Sequence, residues 1–118
     1  MSVAAAGISK KSYRFEKFPL ETTFDDINAV YMYAREESKG GSLVCIPIYI
    51  GMSTGLGKHL ANHAYDGVLD CALKNGANCF LVHQPEGLTT LTAIFTLEKI
   101  ERDLLDAHET PCNTQCNL

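Results

Sequence analysis

Residues 47–63 read PIYIGMSTGLGKHLANH, and the way this stretch changes character decides the fold. A β-branched apolar run, Ile46 to Ile50, stops at Gly51. A turn of small residues follows (Met52, Ser53, Thr54, Gly55), and then a helical segment with His59 and His63 four residues apart. That spacing stacks two imidazoles on one helix face, one turn above the other. A strand therefore delivers Tyr49 to a glycine-loosened loop, and the next helix sets two histidines beside it. Such an arrangement builds a small polar site on a rigid scaffold.

Working outward, Ala29 to Ala34 (AVYMYA) reads as a buried strand. Arg35 to Ser42 (REESKGGS) is polar and glycine-bearing, a connector between that strand and the next, Leu43 to Ile50. The two form a hairpin with a long loop. Further upstream, Ser12 to Leu20 alternates well enough for a short strand or extended arm anchored by Tyr13, Phe15 and Phe18. Downstream, the spacing predicts helices over Leu56–Ala64 and Val68–Lys74, the second ended by Asn75-Gly76. Asn78 to Gln84 is a third strand, and Leu88 to Ala107 one long helix with a wide apolar face, stopped at Thr110-Pro111. The expected fold is α/β, an α+β sandwich with a small, three-stranded, largely antiparallel sheet flanked by helices. One domain covers residues 12–118, and residues 1–11 form a flexible N-terminus.

At 118 residues the chain is long enough for one modest core. No apolar run approaches the roughly 20 residues needed to cross a bilayer, and the N-terminal stretch is a poor signal peptide. Cys45, Cys71, Cys79, Cys112 and Cys116 make an odd count without a tight framework, which reads as free thiols in a reducing, cytoplasmic setting. The net charge of −4 argues against a broad, sequence-independent hold on DNA or RNA, while leaving room for a local basic patch.

The ordered set of short motifs resembles the GIY-YIG nuclease domain. Ala29-Val30-Tyr31 stands for the first motif and Tyr49-Ile50-Gly51 for the second. The loop and helix with His59 and His63 follow, then Glu101 on the long helix, and Asn113 after Pro111. The resemblance implies a phosphodiester-cleaving endonuclease acting on DNA, or on branched or single-stranded nucleic acid, with one divalent cation, Mg²⁺ or Mn²⁺. Carried over, Glu101 is the metal ligand, Tyr31 and Tyr49 orient or deprotonate the attacking water, His63 shuttles a proton, and Asn113 supports the site. The chain departs from the family where Ala29 replaces the first glycine and where His59, with Lys58 before it, replaces a phosphate-binding arginine. A homodimer or a partner protein would supply specificity. The alternative is a weak or inactive member of the fold that binds nucleic acid or a protein.

The chemistry explains these residue types. Mg²⁺ keeps its waters and borrows phosphate oxygens, so one protein carboxylate is sufficient. A tyrosine, with an ordinary pKa near 10, needs a nearby cation before it serves as a base. Arginine donates to phosphate permanently and as a fork, whereas histidine is only fractionally charged at neutral pH. If His59 takes the arginine's part, cleavage weakens as pH rises; otherwise Lys58 swings in, or activity is lost.

Each feature also has a plainer reading. The tyrosines can be strand aromatics, the histidines polar positions on an amphipathic helix, and Glu101 part of a solvated charged face in which Glu98 is a substitute. Gly51 to Lys58 fails as a phosphate-binding loop, with one residue too many between its glycines and His59 where Ser or Thr must hold Mg²⁺. His108, Cys112 and Cys116 suggest zinc by spacing, but Pro111 breaks a single helix through them and a fourth ligand is missing. His83 is expected in the core or at a sheet edge.

Overall fold

The hexapeptide Ala29–Ala34 is apolar at every position, so it can be buried on both sides, and it lies at the centre of the sheet. A computed structural model describes residues 2–115, apart from the side chains of residues 64, 65, 114 and 115. In chain order its elements are β1 (Ser2–Ala6), β2 (Ser12–Phe18), β3 (Ala29–Lys39), β4 (Ser42–Ser53), α1 (Leu56–Asp66), α2 (Val68–Lys74), β5 (Cys79–His83), α3 (Ala93–Ala107) and α4 (Pro111–Gln115). All strand pairs are antiparallel, in the spatial order β1-β2-β5-β3-β4. The α+β character of the sequence reading holds, but the sheet has five strands among the described residues, not three.

Two segments account for the difference. Residues 2–6, expected to fray, pair with β2 as an outer strand. Asp103 of α3 fastens the turn that follows: its carboxylate accepts from the Ser9 backbone N–H at 2.9 Å, the Ser9 hydroxyl at 2.6 Å and the Tyr13 hydroxyl at 2.6 Å. No short-range pattern announces a bond spanning ninety residues. Ser12–Phe18, read as a strand or an arm, joins the sheet through β5.

The polar connector 35–42 is itself strand. β3 and β4 stay in register to Lys39 opposite Ser42, and Gly40 and Gly41, at φ 58° and 84°, make the two-residue turn. Both positions have positive φ, the geometry whose twist matches a hairpin. The outer half of this hairpin is exposed on its way to the turn, so its strand residues are charged rather than apolar. One register shift, between Tyr33 and Ala34, leaves Ile48 without an opposite residue beside Pro47, which cannot donate to the ladder.

The alternation along β3 divides the core. Ala29, Tyr31 and Tyr33 face α1, α2 and α4, together with Phe80, Val82 and Ile48. Val30, Met32 and Ala34 face α3, with Phe15, Ile50, Leu81, Leu97, Ile100 and Leu104. The long helix starts at Ala93 instead of Leu88, because residues 89–92 close a threonine-bonded turn first (Thr89 and Thr92 hydroxyls 3.0 Å apart). The free-thiol reading also needs correction: Cys71 and Cys112 form a disulfide joining α2 to α4, while Cys45 and Cys79 are free. Their positions are 41 residues apart, so sequence spacing gives no hint of the pairing. Among the described residues, no helix is long and apolar enough to cross a membrane.

Candidate functional site

Strand pairing brings the motif tyrosines together. Tyr31 lies opposite Gly51 and Tyr33 opposite Tyr49, all on the face covered by α1. Gly51 is required there: a Cβ at that position would stand 2.5 Å from the Tyr31 oxygen. The phenol of Tyr31 therefore occupies the space a side chain on β4 would take. Tyr31 is fully buried, whereas Tyr49 is only partly so, its ring centroid 6.1 Å from that of Tyr31.

The loop before β3 holds the first turn of α1 in place. The backbone N–H groups of Leu56 and Gly57 donate to the carbonyls of Ile27 (3.1 Å) and Asp25 (3.2 Å), and that of Lys58 to the Asp26 carboxylate (2.8 Å). These are the donors a helix start leaves unpaired. Gly57 permits the approach, since a Cβ would meet the Phe24 carbonyl oxygen at 2.3 Å. So fixed, α1 lays His63 between two phenols. Its Nε2 is 3.0 Å from the Tyr31 hydroxyl and its Nδ1 is 3.1 Å from the Tyr33 hydroxyl. His59 sits one turn earlier, half-buried, its ring 4.9 Å from that of His63 and 5.7 Å from that of Tyr31.

Burial governs the protonation of this cluster. His63, 1% exposed, has its pKa lowered to about 4, chiefly by desolvation and against the pull of Asp66. Its ring is neutral at pH 7. One tyrosine must then donate to its bare nitrogen while the other accepts from its N–H. Burial raises Tyr31 far above the ordinary phenol value, with the neighbouring Tyr49 and Tyr33 adding to the effect, and pushes Tyr33 up to about 12. Burial thus favours the neutral phenol at Tyr31.

Asn113 acts on β4 through the backbone. Its side-chain amide donates to the Ile50 carbonyl and accepts from the Ile50 N–H, both at 2.8 Å, clamping the residue between Tyr49 and Gly51. The neighbouring Cys112 ties this short helix to α2. Lys58, in contrast, is turned out: its side chain is 88% exposed, and its ammonium lies 3.8 Å from the Asp26 carboxylate.

Glu101 comes from the other side of the sheet. The apolar face of α3 packs against Val30, Met32 and Ile50, not against Tyr31. Glu101 lines a shallow cleft of about 590 Å³ with Met52, Phe95, Glu98, Lys99 and Arg102. Met52 adjoins Gly51 along β4, an edge strand, so carboxylate and tyrosines flank the same edge from opposite faces. The charge of Glu101 is still felt at Tyr31. Burial raises the carboxyl of Glu101, with Arg102 opposing and Glu98 reinforcing the shift.

Among the described residues no three His, Cys, Asp or Glu side chains gather as a metal cage. The zinc spacing dissolves as well: His108 bonds the Ala6 carbonyl (2.9 Å), Cys112 is in the disulfide, and Cys116 lies outside the described residues. Glu101 and Glu98 are the carboxylates of this open cleft that could hold a hydrated divalent cation, and Lys99 and Arg102 share the same lining. His83 lies at the sheet surface, its Nδ1 2.7 Å from the Arg14 carbonyl oxygen.

Sequence reasoning passed over Tyr33, Phe95, Lys99 and Arg102. Tyr33 was legible, two residues beyond Tyr31 on the same strand face. Phe95 falls within the helix whose wide apolar face the sequence predicts, yet it is 80% exposed. Comparison of the chain with protein-family models, with curated proteins and with solved structures finds no match.

Proposed function

We propose that the chain is a metal-dependent endonuclease of the GIY-YIG type, hydrolysing phosphodiester bonds in DNA or in branched or single-stranded nucleic acid. The observation that carries this reading is the cluster of Tyr31, Tyr49, His59 and His63 around Gly51 on one face of the sheet; Glu101 approaches β4 from the opposite face, so the reading requires substrate to reach both faces across that edge strand. Glu101 would hold Mg²⁺ or Mn²⁺, which supplies Lewis acidity and a source of hydroxide when bound. Tyr49 and His59, both partly exposed, face the solvent side and orient the attacking water and the phosphate. Tyr31, Tyr33 and His63 hold that pair in register from behind, and Asn113 fixes the strand that carries Tyr49. Arg102, absent from the motif comparison, is a guanidinium beside Glu101 that can take the phosphate-binding part left vacant by His59. A cytoplasmic location, and a homodimer or partner protein that confers specificity, belong to the same proposal.

A second reading has its own support. Complete burial of Tyr31 and the loss of the family arginine suit an inactive module of the same fold, which binds nucleic acid or a protein. One assay separates the two. Purified protein with supercoiled plasmid and Mg²⁺ or Mn²⁺ should nick it, and Glu101→Ala should lower the rate at least about 100-fold. Equal nicking by the variant, or none by either protein, rejects the enzyme in favour of the module.

A further inference from the structure

Three of the largest exposed apolar side chains cluster at the start of α3: Leu91 (89% exposed), Ile94 (53%) and Phe95 (80%). An aromatic ring left in water on a helix whose opposite face is well packed asks for a partner. The stripe it heads is informative. Phe95, Lys99 and Arg102 stand at i, i+4 and i+7, one above the next on a single face. Both cations are exposed, and neither has an ion-pair partner among the described residues. All three line the cleft that contains Glu101.

We infer that this stripe is a platform for single-stranded nucleic acid, Phe95 stacking on an unpaired base while Lys99 and Arg102 hold the phosphates beside it. The inference rests on the phosphodiesterase reading and names its substrate class. Base–aromatic stacking is sequence-tolerant and requires a base free of its duplex partner. Duplex binding would need a broad basic surface, whereas this chain carries a net charge of −4, and Lys99 and Arg102 are joined by Lys11 across the adjoining cleft. A protein-docking face would continue apolar along the stripe. Here it turns cationic within one turn of the ring and opens onto a carboxylate-bearing cleft. Glu98 and Glu101 repel phosphate in the same cleft, so the hold is weak and dominated by the stacked base.

The test is fluorescence anisotropy of a labelled twenty-nucleotide oligothymidylate against a hairpin duplex of equal length, in EDTA and low salt. The 118-residue chain should prefer the single strand by at least about fivefold, and Phe95→Ala should weaken that binding about tenfold, the range expected for losing one stacked base. Phe95→Trp should retain affinity, and since the chain has no other tryptophan its emission should be quenched on binding. Lys99→Ala with Arg102→Ala should flatten the salt dependence. Unchanged binding by Phe95→Ala, equal affinity for duplex, or loss of self-association in its place overturns the platform. A chain that binds single strands through Phe95 yet never nicks plasmid overturns the catalytic reading alone. Nicking that ignores Phe95→Ala, with no single-strand preference, overturns the platform alone.

Discussion

The two faces of the sheet solve the problem of burial differently. The face under α3 has an apolar centre of Phe15, Met32, Ile50, Leu97 and Leu104, and its polar groups lie at the margin, where Tyr13 bonds Asp103 and Lys17 pairs with Glu36. The face under α1 buries two phenols and an imidazole, and tolerates them because each ring nitrogen of His63 meets one hydroxyl. Among the described residues no buried side-chain polar atom is left without a partner. The centre of the first face is set chiefly by packing. The polar face depends on a histidine remaining neutral and on a disulfide at its margin. A face held this way is expensive to keep unless its groups are used, which is a physical reason to look for chemistry there.

The largest difference should follow from the disulfide. Cys71–Cys112 closes a loop of about forty residues over the α1 face, and loop-closure entropy assigns such a bridge about 4 kcal/mol. Chemical denaturation of Cys71→Ser/Cys112→Ser, compared with wild type under oxidising conditions, should show a loss of that size. Reduction by a dithiol, which returns two thiols for two electrons and two protons, should reproduce it in the wild type only. Protection from hydrogen exchange should fall on α2 and α4 and hold on α3. A uniform loss over both faces would mean that the sheet has one cooperative core.

Next comes the pH response of His63. Its folded-state pKa of about 4 lies below the ordinary value near 6.5, so the unfolded chain binds the proton more readily. The stability that goes with a neutral ring is complete above about pH 6.5 and is lost as pH falls toward 4, on the order of 3 kcal/mol over that window. His63→Gln, which keeps a donor and an acceptor but cannot titrate, should flatten the slope between pH 6.5 and 4. Leu97→Ala on the other face should cost about 3 kcal/mol at every pH. Parallel curves for wild type and His63→Gln would remove the imidazole from the account.

What could be read in the sequence follows the range of the forces involved. Helices α1 and α2 and the strand Ala29–Ala34 were legible because period and punctuation are local, as with Gly67 and Asn75-Gly76. The charged half of the β3–β4 hairpin was read as loop because exposed strand lacks an apolar signal, although Gly40-Gly41 marked the turn. β1 was missed because its anchor, Asp103, is far along the chain. The tyrosine and histidine cluster came from motif order and was gathered as expected, yet Glu101 was brought to the strand edge from the far face, which no spacing could reveal.

The smallest effect concerns the point where the two faces meet. Ile50 points its side chain into the α3 face, while its backbone N–H and C=O are both held by Asn113 from α4, which packs on the α1 face. β4 is an edge strand, so these two groups would otherwise be open to water or to another strand. Asn113→Ala removes both bonds beside the buried Ile50 and opens a space that water can enter, so the expected cost is about 1–2 kcal/mol. Asn113→Asp keeps the acceptor toward the Ile50 N–H and sets a carboxylate against its carbonyl, so it should be at least as damaging as alanine. Thermal denaturation measures the pair, and the near-ultraviolet circular dichroism of Tyr49 and its neighbours reports whether the strand has shifted. If both variants match wild type, the strand edge holds itself, and the link between α4 and the tyrosines is the disulfide alone.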